Sequence, residues 1–292
     1  MRIGRIDDRA VLLRGDGVID IGRASGGRFG DDPMAPFRSW PAFVDWAATV
    51  EHADEPLAGR ALQNPIPQPT QVFAVGANYR AHLLEAGASE ENMPTEPLIF
   101  TKFPSCLIGP TDPIPIPNGT IDWEVELVVV IGVRAEHVHA EHAWAHVAGL
   151  TVGQDISDRT LQFVGLAPQF SMSKSYPGFG PLGPSVVTIE EFADPDDLQL
   201  GCTLDGELMQ QSRTSDLIFG VPELIARLSA VCPLLPGDLI FTGTPAGVGA
   251  FRKPPIFLQP GQELTSWIEG IGELHNPTVE APVHALAGDT HD

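Results

Sequence analysis

The sequence predicts an α+β fold dominated by β-structure, in two parts: a small N-terminal β domain over 1–65 and a larger domain over 66–292. Three observations carry this. Short apolar runs separated by Gly and Pro recur along the chain, long helical patterns are scarce, and one Pro-rich stretch divides the two parts. Strands and long helices do not alternate regularly, which disfavours a doubly wound parallel sheet.

Residues 1–23 read as a β meander. Met1–Ile6, Ala10–Arg14 and Val18–Gly22 are apolar-rich, and Asp7-Asp8-Arg9 and Gly15-Asp16-Gly17 break them at turn-forming residues. Pro41–His52 has helical spacing through Phe43, Trp46 and Val50. In Gln63–Gln71, three alternating prolines favour extended chain, and the domain boundary is placed near residue 66. Beyond it, Val72–Val75, Leu98–Thr101, Glu126–Val133, Leu150–Gly153, Val186–Ile189, Gln199–Leu204 and Leu239–Thr242 read as strands. Pro222–Val231 is the clearest helix: Val221, Leu224, Ile225, Leu228 and Val231 form one apolar face, and a proline occupies its first turn.

Composition narrows the partners. The chain has 292 residues, 43% of them hydrophobic and 19% charged, enough for a sizeable core. Its 17 Lys and Arg against 38 Asp and Glu leave a net charge of −21, too negative to track a nucleic-acid backbone. No apolar run is long enough to span a membrane, and MRIGRIDDRA is too polar for a secretory signal. Cys106, Cys202 and Cys232 lie far apart with no CxxC pair, so a reducing cytoplasm is the expected home. Only Lys102, Lys174 and Lys253 are lysines.

The most informative local pattern is Asp122-Trp123-Glu124-Val125-Glu126, running into Leu and Val. In a strand, residues two apart share a face, so Glu124 and Glu126 could converge on one ion. Oxygen-only ligands favour Mg²⁺ or Mn²⁺, with Ca²⁺ also compatible. An edge strand with two solvated glutamates gives the same pattern. Asp155, ending Thr151–Asp155, is a plausible third ligand, although Asp is also common at strand ends for turn reasons. His137, His139, His142 and His146 lack an HExxH motif and read as a solvated face.

His82 and Glu85 are three apart. On a helical turn they share a face, and a carboxylate on one imidazole nitrogen leaves the other as a base. A surface helix with an incidental His is the alternative. Ser171-Met172-Ser173-Lys174 matches S-x-x-K without its companion motifs, and no Walker A loop or dinucleotide fingerprint is present.

Taken together and in order, six blocks resemble the fumarylacetoacetate hydrolase family: 76–87, 97–110, 122–132, 150–162, 173–184 and 234–249. The resemblance implies a mixed β-sandwich roll, assembled as a homodimer, behind a small N-terminal domain. It implies that Glu124, Glu126 and Asp155 hold Mg²⁺ or Mn²⁺, and that His82 and Glu85 form a general-base dyad on a lid. It also implies that Lys102, Gln162, Lys174 and Thr244 meet a small anionic 2-oxo or β-diketo acid, Lys174 with a catalytic part. Two positions depart from the family pattern. Gln154 stands where Asn commonly precedes the metal Asp, and Thr160 where Asp commonly follows the Arg. The longer Gln154 side chain is expected to push its amide into or past the site and alter substrate choice.

The chemistry expected on this basis is metal-assisted hydrolysis of a C–C bond in an acylpyruvate or fumarylpyruvate. Water activated by His82 would attack, and a pyruvate-like enolate would leave near Lys174. Oxaloacetate decarboxylation and enol–keto isomerisation of the 2-hydroxyhepta-2,4-diene-1,7-dioate type share that enolate and stand as alternatives. An inactive metal-binding protein is the remote one.

Overall fold

The computed structural model describes residues 1–50, 53, 55–117 and 119–282. Its N-terminal part contains β1 (Arg2–Ile6), β2 (Arg9–Arg14), β3 (Gly17–Asp20), α1 (Ile21–Ala24), α2 (Ala35–Arg38), α3 (Trp40–Ala47) and β4 (Glu55–Pro56). The predicted helix over 41–52 appears as α3, and positions 51 and 52 lie outside the described residues. Next come β5 (Val72–Gly76), α4 (Arg80–Glu85), β6 (Leu98–Thr101), β7 (Leu107–Ile108), β8 (Ile114–Ile116), β9 (Ile121–Asp122) and β10 (Val125–Ile131). β11 (Val147–Gln154), β12 (Ser157–Asp158), α5 (Arg159–Gln162), α6 (Phe170–Ser173) and β13 (Gly180–Val187) follow. The chain continues through β14 (Gln199–Leu204), β15 (Glu207–Arg213), α7 (Val221–Val231), β16 (Leu239–Phe241), β17 (Glu263–Ile268) and β18 (Gly272–Glu280).

The fold is α+β with mixed sheets. The main sheet runs β4-β3-β2-β1-β13-β11-β10-β16-β5-β6, with β7 beside β13, and a five-stranded sheet runs β15-β14-β17-β18-β8. Neighbours are mostly antiparallel, while β16 and β5 pair in parallel. The N-terminal meander continues the main sheet, because β1 pairs with β13 through Arg2 opposite Val187 and Ile3 opposite Val186.

The central strand β10 explains how the core is divided. Every residue from Val125 to Ile131 is buried, as the unbroken apolar run requires of a strand covered on both faces. Alternation sends Val125, Leu127, Val129 and Ile131 into the core shared with β14, β17 and α7. Val128 and Val130 point the other way, against Leu182, Val186 and Phe241 and the aromatic face of Phe37, Trp40 and Phe43. α7 begins at Val221 with Pro222 in its first turn and buries Leu224, Ile225 and Leu228, as the apolar spacing predicts.

A candidate metal and general-base site

The antiparallel register of β10 and β11 creates the site. Val125 pairs with Gln154 and Glu126 with Gly153, so the next step outward sets Glu124 opposite Asp155. That step is made by the Asp155 N–H, which donates to the Glu124 carbonyl at 2.9 Å. Glu124 and Glu126 share one face two residues apart, and Asp155 joins them from across the ladder. Gly153, opposite Glu126, has no room for a side chain: a Cβ there would lie 2.5 Å from Val128 and 2.7 Å from Phe241. Ligand oxygens of all three buried carboxylates lie within 4.8 Å of one another.

Three cations serve two of these carboxylates. Lys174, at the end of α6, places Nζ 2.6 Å from Glu124 Oε2 and 2.7 Å from Asp155 Oδ2. Lys102, following β6, donates to Asp155 Oδ1 at 2.7 Å, to the Phe179 carbonyl at 3.1 Å and to the Lys174 carbonyl. Arg159 Nη2 lies 2.7 Å from Glu124 and 2.8 Å from Asp122. Burial alone would raise the Glu124 carboxyl, yet the charges of Lys174 and Arg159 outweigh it and bring the pKa down to about 2. Burial lowers the Lys174 ammonium, and Asp155 and Glu124 more than reverse this.

Glu126 differs. Among the described residues it accepts the Gly243 N–H at 2.8 Å and has no cation in ion-pair contact. Burial, then Asp155 and Glu124, hold its carboxyl well above the usual range. An all-oxygen donor set in which Glu126 has no cation in contact fits a hard divalent cation, and Glu124, Glu126 and Asp155 would hold it.

The candidate base lies on α4. His82 Nδ1 is 2.8 Å from Glu85 Oε1, and among the described residues Nε2 has no hydrogen-bond partner. The Gly247 N–H lies 3.0 Å from Glu85 Oε1 and 2.9 Å from Oε2. Gly247 has φ +108°, and a Cβ would meet the Met209 carbonyl at 2.2 Å, so the turn requires glycine. The His82 ring rests against Phe251, with centroids 5.8 Å apart. Together, His82, Glu124, Glu126, Arg159, Gln162, Lys174 and Thr244 line a cavity of about 190 Å³, otherwise walled by apolar residues including Leu83, Phe163, Phe170 and Phe251.

With this geometry established, similarity to known proteins gives it a family. Residues 71–279 match the family described as fumarylacetoacetate (FAA) hydrolase C-terminal. The chain belongs to the fumarylacetoacetate hydrolase family. Within that family of enzymes, it is 45% identical over 217 residues to the Bos taurus protein named oxaloacetate tautomerase FAHD2B, mitochondrial, covering 74% of this chain and 68% of the relative. A candidate HpcE protein from Mycobacterium smegmatis superposes with TM-score 0.92 at 49% identity, over 97% of this chain and all of the other. Maleylpyruvate hydrolase from Sphingobium sp. SYK-6, solved with manganese(II) and pyruvate, is 30% identical with TM-score 0.79, over 97% of this chain and all of that one.

Measured against the fumarylacetoacetate hydrolase pattern, the two departures behave differently from expectation. Gln154 does not reach the site. It precedes Asp155, so strand alternation turns it to the opposite face, where it accepts the Glu124 N–H at 2.8 Å and donates to Ser266 Oγ at 2.8 Å. Thr160 is exposed and pairs with Thr120 outside the cavity. Lys102, expected against substrate, stands behind Asp155, and its three N–H groups match its three protein acceptors. The Thr244 hydroxyl donates to the Val125 carbonyl at 3.0 Å and accepts from Gln210 at 2.8 Å, which commits its proton to the protein. Arg159 is the cavity residue to which sequence reasoning gave no role. Its signal lay in its place four residues after Asp155, one helical turn from Gln162.

Proposed function

We propose that this protein interconverts the keto and enol forms of a small 2-oxo dicarboxylic acid of the oxaloacetate type, in place of the C–C hydrolysis expected from sequence. The observation that carries this reading is that His82, paired with Glu85, lines one cavity of about 190 Å³ together with Glu124 and Glu126 of the three-carboxylate cluster. That volume falls below the roughly 300–1,000 Å³ usual for drug-sized ligands and suits a short acid. Hydrolysis would need room for a longer diketo acid and for an attacking water. Relatives 43–45% identical, from Bos taurus and Homo sapiens, are named oxaloacetate tautomerases, which supports the same choice. Those names also carry the word mitochondrial, so the cytoplasmic expectation gains nothing from them.

A divalent cation, when bound, would polarise the 2-oxo group as a Lewis acid and acidify the neighbouring C–H. The rest falls to the chain. His82, with Nδ1 fixed on Glu85, takes the C3 proton at Nε2 and gives that proton up to the oxo oxygen, which completes the enol and restores the neutral imidazole; the reverse steps restore the ketone. Composition is unchanged in either direction, and no water is consumed. Glu85 supports the imidazolium that forms, while the Gly247 N–H keeps Glu85 from swinging away. Leu83, Phe163, Phe170 and Phe251 give the cavity an apolar wall.

The test follows enol-oxaloacetate absorbance with Mn²⁺ or Mg²⁺, with and without chelator, in wild type and His82→Ala. Metal-dependent loss of the enol without pyruvate formation, falling by about 10²–10⁴ in the variant, supports the proposal. Stoichiometric pyruvate from oxaloacetate would assign decarboxylation instead, and faster cleavage of acetylpyruvate or maleylpyruvate would restore the hydrolase.

A further inference from the structure

Asp122 belongs neither to the carboxylate cluster nor to the base pair, yet it joins the elements around both. It ends β9 at 0% exposure. Its Oδ1 accepts the N–H of Trp123 at 2.9 Å and of Gly249 at 2.7 Å. Its Oδ2 accepts the Ala250 N–H at 3.0 Å and Arg159 Nε at 2.9 Å. A buried carboxylate is retained at low cost when its lone pairs are filled in this way, and here every partner is a donor.

Two consequences reach the cavity. First, Arg159 is held between Asp122 and Glu124, and its Nη1 donates to Gln162 Oε1 at 3.0 Å. Within the Gln162 amide only the oxygen can accept from the guanidinium, so the contact commits that oxygen and leaves the NH₂ group of this residue, at 4% exposure, available to the cavity it lines. Second, the Gly249-Ala250 turn pinned by Asp122 carries Phe251, the ring against which His82 rests. We propose that Asp122 is a positioning residue for substrate selection, fixing Gln162 through Arg159 as an N–H donor to the carboxylate of the substrate distant from the 2-oxo group. This rests on the 2-oxo dicarboxylate reading above.

Asp122→Asn is the informative change, because either orientation of an amide sets N–H against donors on one side. Binding to Mn²⁺-loaded protein is measured calorimetrically with two ligands that cannot enolise. Oxalate has no distal carboxylate, and 3,3-difluorooxaloacetate has one. Wild type prefers the second, and Asp122→Asn loses that preference by about tenfold or more while oxalate binding stays within about twofold. Gln162→Met, which leaves the Asp122 contacts to the turn intact, gives the same loss. The double variant loses no more than either single, since both changes interrupt one path. Equal loss of both ligands, an unchanged ratio, or additive losses would overturn the proposal in favour of a turn anchor alone. If Asp122→Asn does not fold, an unchanged ratio in Gln162→Met is sufficient to overturn it. Failure of the tautomerase reading shows elsewhere, as absence of wild-type turnover, and leaves the ligand ratio readable.

Discussion

The ammonium of Lys174 forms a 2.6 Å ion pair with Glu124 and reaches Asp155 as well, standing on two of the three carboxylates that would hold a cation. Lysine and a bound metal would therefore draw on the same two carboxylates. Lys174→Met should lower the melting temperature of chelator-treated protein more than that of Mn²⁺-loaded protein. Breaking a buried ion pair typically costs about 3–5 kcal/mol, and the ion offsets part of that loss. Thermal unfolding in the two states checks this, and equal losses would count against shared carboxylates. Lys174→Arg should not restore the wild-type pattern, because the planar guanidinium cannot occupy the same compact position.

The stabilisation supplied by metal should grow with pH. Burial, Asp155 and Glu124 raise the Glu126 carboxyl above its ordinary 4.5 in the folded chain. The folded state then binds more protons than the unfolded state above that value, so metal-free stability falls as pH rises through the folded pKa. Glu124, brought down to about 2, contributes stability that is complete above 4.5 and is lost only in stronger acid, so it leaves that window flat. Bound metal requires ionised Glu126 and removes its penalty. The Mn²⁺-induced rise in melting temperature should be larger at about pH 8 than at about pH 5.5. A rise independent of pH would contradict the Glu126 argument.

Gly247→Ala should impair catalysis and stability together. The added methyl group meets the Met209 carbonyl at 2.2 Å and strains a backbone at φ +108°, a conformational cost of about 1–3 kcal/mol before the clash is counted. Relieving the clash moves the N–H away from Glu85 and loosens His82. The turnover rate should fall and its pH profile should shift as in Glu85→Gln, while KM changes less. A variant that only melts earlier, with an unaltered pH profile, would separate the turn from the base.

Gln154→Leu should weaken metal binding without changing substrate preference. It leaves the Glu124 N–H and Ser266 Oγ without their amide partner, a cost of about 1–3 kcal/mol for each buried group that stays unpaired. Because Gln154 faces the second sheet, the relative rates on a series of 2-oxo acids should hold. Calorimetric Mn²⁺ titration and the rate series are the two measurements, and a changed series would place the residue back in substrate choice.

Strand periodicity made the carboxylate cluster legible in part. The two-residue spacing put Glu124 and Glu126 on one face, and the β-forming run after them located the strand. Asp155 could not be secured that way, because its place depends on a cross-strand register between segments some 30 residues apart. The same alternation, applied to Gln154, would have turned it away from the site; attention to side-chain length obscured the direction. Lys102 was assigned to substrate by resemblance, and its three protein acceptors come from distant segments that its local sequence does not reveal. The second sheet was the least visible part of the fold. β18 contains Pro277 and polar residues, and β17 carries Thr265 and a buried Ser266 between Leu264 and Ile268, so neither gives a long apolar run.

One short stretch of backbone serves both halves of the proposed chemistry. Gly243 donates its N–H to Glu126, and Gly247, four residues on, donates to Glu85. The chain length between these two amides is thus a ruler between the place for the cation and the seat of the base. Side-chain substitutions around the cavity can vary the acid it accepts without altering that ruler. An insertion or deletion between the two glycines would reset the reach of the proton transfer itself.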